Sequence, residues 1–193
     1  MVSQSMHLAG QEHFNAVYRI LRYLKGILGR GLLFKNHGYL QVEAYTNADW
    51  AGNIVGRRLT SGYCTFVGGN LVTWQSNKHN VVARSSAEAE FKSVAHGICE
   101  VLWIKRLLEE LKVSNPLPIK VYCDNKAATS IAHNPVLHDR TKHVEVDKHF
   151  ITEKLEKWLI CMPYIPTTQK VVDVLTKGVP TRQFNELIGK LTM

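Results

Sequence analysis

Apolar and polar residues recur with two different periods along this chain, and these periods predict its elements. Between Glu12 and Lys25 the apolar residues have helical spacing, with basic residues on the opposite side, which predicts an amphipathic helix. Gly68-Gly69 lies between two strand-like runs and predicts a tight hairpin. Three runs have the alternation and the β-branched and aromatic content of strands: residues 40–45, 62–67 and 70–74.

The second half of the chain alternates between helical and strand-like segments. Ser85, followed three residues later by Glu88, is a capping-box pattern that predicts the start of a long helix ending near Leu111. Further strands are predicted at 119–123 and 160–165, and further helices at 125–132, 146–157, 171–176 and 182–191. This order predicts a mixed α/β fold, in which a three-strand meander is extended by parallel strands.

Charge and hydropathy narrow the functional classes. The 193 residues include 24 Lys and Arg against 16 Asp and Glu, a net charge of +8, which favours a polyanionic partner such as nucleic acid. A solubilising surface charge is the alternative. No signal peptide and no apolar run of about 20 residues is present, so we expect an intracellular protein without a membrane partner.

The four cysteines are widely separated and form no CxxC pair. They are Cys64, Cys99, Cys123 and Cys161, and each lies in an apolar or strand-like run. We therefore expect reduced core residues, in preference to zinc ligands or disulfides.

Acidic residues occur in several distinctive local sequences that are far apart in the chain. Such a set is typical of two-metal phosphodiester chemistry, which needs carboxylates from separate elements to converge on one point. The first of these sequences, residues 45–52, contains Asn47 in the place where a bridging aspartate would be expected.

Several local sequences, in the order in which they occur, resemble the ribonuclease H domain of copia-type retrotransposon polyproteins. They are Ala51-Gly52, Thr60-Ser61-Gly62-Tyr63, Ser85-Ser86-Ala87-Glu88-Ala89-Glu90, Cys123-Asp124-Asn125, Arg140-Thr141-Lys142-His143 and Asp173-Val174-Leu175-Thr176-Lys177. The resemblance assigns residues 39–180 to the ribonuclease H-like domain, 1–38 to the end of the reverse-transcriptase connection, and 181–193 to a C-terminal helix. The opening residues 1–7 resemble the interior of a longer polyprotein, so we expect the chain to be part of one.

The resemblance implies a ribonuclease H-like fold, a five-stranded mixed sheet flanked by helices. It implies hydrolysis of the RNA strand of RNA–DNA hybrids with two Mg²⁺ or Mn²⁺ ions, which the residues at four positions would hold: Asn47, Glu90, Asp124 and Asp173. The implied partners are the hybrid and the reverse-transcriptase domain of the same polyprotein, in a cytoplasmic retrotransposon particle or in the nucleus.

Asn47 separates two functional hypotheses. An amide oxygen can bind one cation but brings no charge, and its NH₂ group would face the second ion, so we expect impaired cleavage. The alternative is a catalytically dead remnant that binds hybrid or is only structural. Asp49 lies on the same strand face, but about 6.6 Å further along, which makes it a poor substitute.

Each of the three acidic positions also has an ordinary structural explanation. Glu90 could be an exposed helix charge, while Glu88 is explained by the capping box and points about 200° away. Asp124 precedes a helix and could be its N-cap. Asp173, taken without its neighbours, would be a solvated charge.

Basic and aromatic residues are candidates for contacts with the hybrid. The candidate phosphate contacts are Arg57, Arg58, Lys78, Arg84, Arg140 and Lys142, and Trp50, Trp74 and Tyr63 could pack against sugars. Solvated loops and core aromatics are the alternative for any single one. A zinc site among His133, His138, His143 and His149 is a minor possibility, because their spacings match no common motif.

Overall fold

The computed structural model describes residues 7–26, 28–29, 31–49, 59–78, 85–133, 142–166 and 171–191. The chain divides into two compact units, Met1–Leu32 and Leu33–Met193. The first unit contains α1 (Gln11–Gly26), the helix predicted from its periodicity, and no residue of α1 is buried. No helix among the described residues is long and apolar enough to cross a membrane.

The second unit contains five strands and five helices within its described residues. The strands are β1 (Val42–Asp49), β2 (Thr60–Val67), β3 (Asn70–Lys78), β4 (Ile119–Tyr122) and β5 (Ile160–Cys161). The helices are α2 (Ser86–Glu110), α3 (Lys126–His133), α4 (Lys142–Glu156), α5 (Asp173–Thr176) and α6 (Thr181–Leu191). The strands form one mixed sheet in the order β3-β2-β1-β4-β5. The predicted fold class, a five-stranded mixed sheet flanked by helices, is confirmed.

The antiparallel meander extends further than its apolar pattern predicts. Both glycines of the predicted hairpin have positive φ, 55° at Gly68 and 76° at Gly69, as a tight two-residue turn requires. However, β1 continues to Asp49 and β3 to Lys78, about four residues beyond the predicted ends. All the extra residues except Ala48 are polar, and backbone pairing holds them in the sheet: Asn47 pairs with Gly62 on β2, and Asp49 with Thr60.

The parallel part of the sheet is shorter than predicted. β4 pairs with β1, and β5 with β4, but β5 contains only two residues. Pro163 has no backbone N–H to donate, which prevents a regular ladder there. Pairing resumes as one isolated bridge between Cys123 and Tyr164. This bridge places Tyr164 beside the carboxyl end of β4.

Helices cover both faces of the sheet. On one face α2, α3 and α4 pack over the main core, which includes Val42, Ala44, Phe91, Ile98, Val121, Cys123 and Ile151. On the other face lies a smaller cluster, in which Val171, Val172 and, from α6, Leu187 pack against strand residues. These strand residues are Cys64, Phe66 and Leu71. Because side chains alternate along a strand, Thr46 points toward α2 and Asn47 toward α5.

Two local features determine where α2 begins and how closely it approaches the sheet. Ser85 is its N-cap, and its side chain accepts a hydrogen bond from the Glu88 N–H at 3.1 Å, as predicted. A Cβ atom at Gly97 would lie 2.6 Å from Thr46 Cγ2, so only glycine permits this contact between α2 and β1. The first turns of α2 are thereby held against the carboxyl end of β1.

Candidate metal centre

Asn47 lies in a row of small polar residues that crosses the meander. It pairs with Gly62 on β2, and Gly62 pairs with Ser76 on β3. α5 lies over this row, since Ser76 Oγ donates to the Leu175 carbonyl at 2.6 Å. Asn47 and Asp173 are both buried, with 1% and 2% of their surfaces exposed. Polar side chains buried to this degree need hydrogen-bond partners.

The Asn47 amide is hydrogen-bonded to two side chains of α5. Its Nδ2 donates to Asp173 Oδ1 at 2.9 Å and to the Thr176 hydroxyl oxygen. Lys177 Nζ lies 3.4 Å from the same Asp173 oxygen. The Asp173 carboxylate therefore receives an amide donor and an ammonium group, both supplied by the chain itself.

Gly62 allows α5 to come this close to the sheet. A Cβ atom at this position would lie 2.8 Å from Thr176 Cγ2 and 3.1 Å from the Gln75 carbonyl oxygen. The backbone contact cannot be relieved by a side-chain rotation. The glycine of the Thr60-Ser61-Gly62-Tyr63 sequence is thus explained by packing beneath α5.

Glu90 and Asp124 form a second group, together with Cys123. One ligand atom from each of these three residues lies within 4.8 Å of the other two. Glu90 is 5% exposed and Cys123 is fully buried, whereas Asp124 is partly exposed. The group is therefore open to solvent on the Asp124 side.

The main chain of β1 near Asn47 contacts both α2, which carries Glu90, and β4, which precedes Asp124. Ser93 follows Glu90 by three residues on α2, and its Oγ lies 2.8 Å from the Asn47 carbonyl oxygen, to which it donates. In the parallel pairing of β1 and β4, Tyr45 is the partner of Tyr122. Asn47 and Asp124 each follow this pair by two residues, so they lie at the same level of two neighbouring chain segments.

Only half of this arrangement suits the two-cation site that the sequence resemblance implies. Glu90 and Asp124 offer carboxylate oxygens, the ligands that hard divalent cations prefer. Between Asn47 and Asp173, by contrast, an N–H group points at the carboxylate, and a bridging cation would require an oxygen there. The residues present therefore fit one cation at Glu90 and Asp124 but not a second one bridged by residue 47.

The structure also decides between several explanations of the acidic residues. Asn125, not Asp124, caps α3, because its Oδ1 accepts a hydrogen bond from the Ala128 N–H at 3.0 Å. The N-cap explanation of Asp124 is therefore wrong. Glu90 is buried, which excludes an exposed helix charge, and Glu88 lies 3.4 Å from Lys92 on the helix surface. Asp49 ends β1 opposite Thr60.

The predictions for the cysteines need one correction. All four cysteines are free thiols, as expected, but Cys99 is exposed because it lies on the outer side of α2. Cys123 is a buried core residue, as expected, and its Sγ also lies within 4.8 Å of a Glu90 and an Asp124 carboxylate oxygen. Among the described side chains, the group of potential ligands contains no histidine, and His149 is exposed on α4.

Of the candidate hybrid contacts, few lie on described parts of the chain. Lys78 is exposed at the end of β3, and Lys142 begins α4. Trp74 is 54% exposed, on the sheet face that carries α5. Tyr63 points to the other face, where its OH donates to Glu100 at 3.1 Å, and burial together with Glu100 raises the pKa of Tyr63 to about 12. Arg57, Arg58, Arg84, Arg140, Trp50 and His138 lie outside the described residues.

Sequence reasoning missed three side chains beside the site. Thr176 and Lys177 follow Asp173 by three and four residues, a helical spacing that signals shared surroundings. Lys126, two residues after Asp124, has its ammonium 5.0 Å from the ring centroid of Tyr164, a half-exposed residue. The isolated bridge to Cys123 brings this pair to the same edge of the sheet, and the sequence did not predict that bridge.

Comparisons with known proteins agree with this architecture. The chain is 38% identical over 190 residues to the retrovirus-related Pol polyprotein from transposon RE1 of Arabidopsis thaliana, a match that covers 98% of the chain. It is 36% identical over 192 residues, again 98% of the chain, to the Pol polyprotein from transposon TNT 1-94 of Nicotiana tabacum. It spans only 13% and 14% of the length of these two relatives.

The fold has a counterpart among solved structures. LC11-RNase H1, solved in complex with an RNA/DNA hybrid, superposes with a TM-score of 0.53 over 70% of this chain and 93% of that one. Sequence identity in this superposition is 13%, so the likeness concerns the fold alone. No protein-family model matches the chain.

Proposed function

We propose that this chain, a homologue of the ribonuclease H region of copia-type retrotransposon Pol polyproteins, binds RNA–DNA hybrids and has impaired cleavage of their RNA strand. One observation carries the proposal. The Asn47 amide donates to Asp173 at the place where the family's chemistry needs a carboxylate between two cations.

Divalent ions, when bound, generate the nucleophile and stabilise the leaving oxygen in this type of hydrolysis. The chain retains carboxylates for this role at Glu90, Asp124 and Asp173, but the Asn47 amide replaces one negative charge with a neutral group. The amide also ties up Asp173 through a hydrogen bond, so two of the four positions are altered by one residue. Impaired cleavage follows because neither cation would receive its full set of charged oxygens.

Hybrid binding does not depend on these carboxylates. The net charge of +8 favours phosphate contacts, and Lys126 with Tyr164 presents a cation and a ring face beside Asp124. Lys78 and Trp74 are exposed on β3 and suit the same purpose. The proposal extends to Lys142 and to the arginines at 57, 58, 84 and 140.

The polyprotein context supports two further parts of the proposal. The relatives are Pol polyproteins many times longer than this chain, so we propose that the reverse-transcriptase domain of the same polyprotein is a partner. A cytoplasmic retrotransposon particle, or the nucleus, is the proposed location.

The test of catalysis is a gel assay of end-labelled hybrid with Mg²⁺ or Mn²⁺, comparing the native chain with Asn47→Asp. We expect the restored carboxylate to raise cleavage by orders of magnitude. Alanine at Glu90, Asp124 or Asp173 should remove the gain in the Asn47→Asp background. Asp49→Asn, a change on the same strand face, is the matched control and should leave the gain intact. Equal cleavage by the native and Asn47→Asp chains would contradict the proposal.

The test of binding separates a hybrid-binding domain from a purely structural one. Hybrid affinity is measured in EDTA as a function of salt, where counterion release predicts a steep decrease. Lys126→Glu should lower the affinity and reduce the salt slope by about 1. Lys157→Glu, between α4 and β5, makes the same charge change at the amino end of the parallel strands, away from Lys126, and should have little effect. Absence of hybrid affinity at low salt would leave only a structural role.

A further inference from the structure

We infer that the carboxyl-terminal half of α2 is the contact surface of a homodimer, on which a second copy of this chain packs antiparallel with the same surface. The contact consists of three apolar residues, Trp103, Leu107 and Leu111, and of a charged pair beside them, Arg106 and Glu110. This surface is separate from the candidate metal centre, because Trp103 follows Glu90 by 13 residues, which is about 20 Å along a helix.

Large apolar side chains form a stripe on the outer side of α2. Trp103, Leu107 and Leu111 follow one another at intervals of four residues, which places them on one side of the helix. Between 40% and 64% of their surfaces are exposed, whereas Val101 and Ile104 on the inner side of the same turns are buried. Single exposed apolar residues are ordinary, but a contiguous stripe is typical of a contact surface.

A pair of opposite charges runs along this stripe. Arg106 Nε lies 3.3 Å from Glu110 Oε1, and both side chains are mostly exposed. An ion pair this exposed contributes little to the stability of a single chain. It does give the surface a fixed order, with the basic group nearer the start of α2 and the acidic group nearer its end.

A second copy of α2 that runs antiparallel complements this order. A two-fold axis close to Leu107 places Trp103 against Leu111 of the other copy and brings Arg106 within reach of Glu110 of the other copy. The same contacts recur on the far side of the axis, as the symmetry of a two-fold dimer requires. Parallel helices would instead place like charges at the same level. The charges therefore favour a second copy in the antiparallel direction.

The antiparallel arrangement leaves both candidate metal centres accessible. Glu90 lies near the start of α2, so the two centres would be at opposite ends of the helix pair. Three apolar side chains and one charged pair from each copy make a small interface, which suits a reversible dimer with a Kd on the order of 10 µM.

The first test is sedimentation equilibrium of the full chain in EDTA and reductant, without nucleic acid, from about 1 to about 200 µM. The average mass should rise from that of a monomer toward that of a dimer. Leu107→Glu places two carboxylates at the axis and should weaken association by at least about a hundredfold. A monomer mass over the whole concentration range of the native chain would overturn the inference.

Two tryptophans provide a matched comparison. Trp103→Ala should weaken association at least about tenfold, because a central aromatic side chain dominates a small interface. Trp74 is equally exposed but lies on the sheet face that carries α5, so Trp74→Ala should leave association unchanged. Association lost with Trp74→Ala and kept with Trp103→Ala would place the contact elsewhere and overturn the inference.

Charge reversal tests the antiparallel direction. Arg106→Glu and Glu110→Arg should each weaken self-association about tenfold, because like charges then meet on both sides of the axis. An equimolar mixture of the two variants should associate again, since one copy is acidic and the other basic at these positions. Sedimentation of a mixture with one labelled variant measures this. A mixture no more associated than either variant alone would contradict the antiparallel contact.

Two further measurements separate the possible failures. The five positions are on the surface of α2, so the melting temperatures of the variants at low concentration should equal that of the native monomer. Hybrid affinity of Leu107→Glu in EDTA should also equal that of the native chain. A dimer without hybrid affinity would contradict the proposed function alone, whereas hybrid affinity in a chain that stays monomeric would contradict this inference alone.

Discussion

The Asn47 amide and the Asp173 carboxylate are 126 residues apart in the chain, yet they are joined by a buried hydrogen bond of 2.9 Å. Because Thr176 accepts from the same amide and Lys177 lies beside the same carboxylate, Asn47 is also a structural contact between β1 and α5. A substitution at position 47 must therefore change stability as well as chemistry.

Asn47→Asp should make the stability of the chain depend on divalent cations. In EDTA two carboxylates would face each other, which we expect to cost about 2 kcal/mol or more of unfolding free energy. Mg²⁺ or Mn²⁺ should restore the melting temperature of this variant, because a ligand that binds only the folded state stabilises it. Thermal unfolding with and without metal measures the effect.

Asn115→Asp is the matched control for that prediction. The Asn115 Oδ1 accepts a hydrogen bond from the Val42 N–H at 3.1 Å, and an aspartate oxygen can accept the same bond. Its melting temperature should therefore respond to metal as the native one does. Identical metal responses of Asn47→Asp and Asn115→Asp would contradict the assignment of position 47 to a cation site.

Gly62→Ala should destabilise the chain by about 1–3 kcal/mol through overpacking beneath α5. Thr176→Ser, which removes the methyl group 2.8 Å from the new Cβ and keeps the hydroxyl, should recover part of the loss. The Gln75 carbonyl oxygen, at 3.1 Å, prevents full recovery. Gly178→Ala has no atom within 4 Å of its Cβ and should be close to neutral. Urea unfolding of the single and double variants measures the coupling.

Asn125→Ala and Asp124→Asn should separate capping from metal binding. Asn125→Ala removes the N-cap of α3 and should cost about 1 kcal/mol of stability. Asp124→Asn leaves that cap in place and should instead weaken divalent cation binding. Chemical denaturation and metal titration of both variants provide the comparison, and a stability loss confined to Asp124→Asn would reverse the assignment.

Tyr63 should contribute a pH-dependent part of the stability in alkaline solution. Burial and the Glu100 carboxylate raise its pKa from 10.0 to about 12, so the fold favours the neutral phenol. This contribution is fully present below pH 10 and is lost as the pH rises toward 12. The stability difference between native and Tyr63→Phe should therefore shrink as the pH rises from 10 to 12. Tyr18→Phe, on the exposed surface of α1, should show no such change.

Local signals in the sequence predicted much of the fold. The two glycines at 68 and 69 and the Ser85 cap were visible because each acts over a few residues. The ends of β1 and β3 were missed because the ladder holds polar residues whose side chains have no apolar pattern. Long-range pairing determined those ends, and a local reading cannot detect it.

The candidate site was predictable in its residues but not in its contacts. The acidic positions came from the family resemblance, and strand alternation indicated that Asn47 and Asp49 share one face of their strand. Asp124 and Asn125 are adjacent and both can accept a hydrogen bond from a helix N–H group. The sequence could not show which of them caps α3, because that depends on the residue at which the helix begins. The proximity of Cys123 to Glu90 could not be predicted, because Glu90 lies on α2 and is brought to the end of β4 only by the fold.

The segment from Val171 and α6, which pack on one face of the meander, have a consequence for synthesis of the chain. Val172 and Leu187, which pack against Cys64, Phe66 and Leu71, are synthesised after all five strands. Chains fold from the N-terminus as they leave the ribosome, so this face of the nascent sheet stays open to water until residues 171–187 have been made. Release of the chain before residue 171 would leave an apolar strand surface available for aggregation or for capture by chaperones.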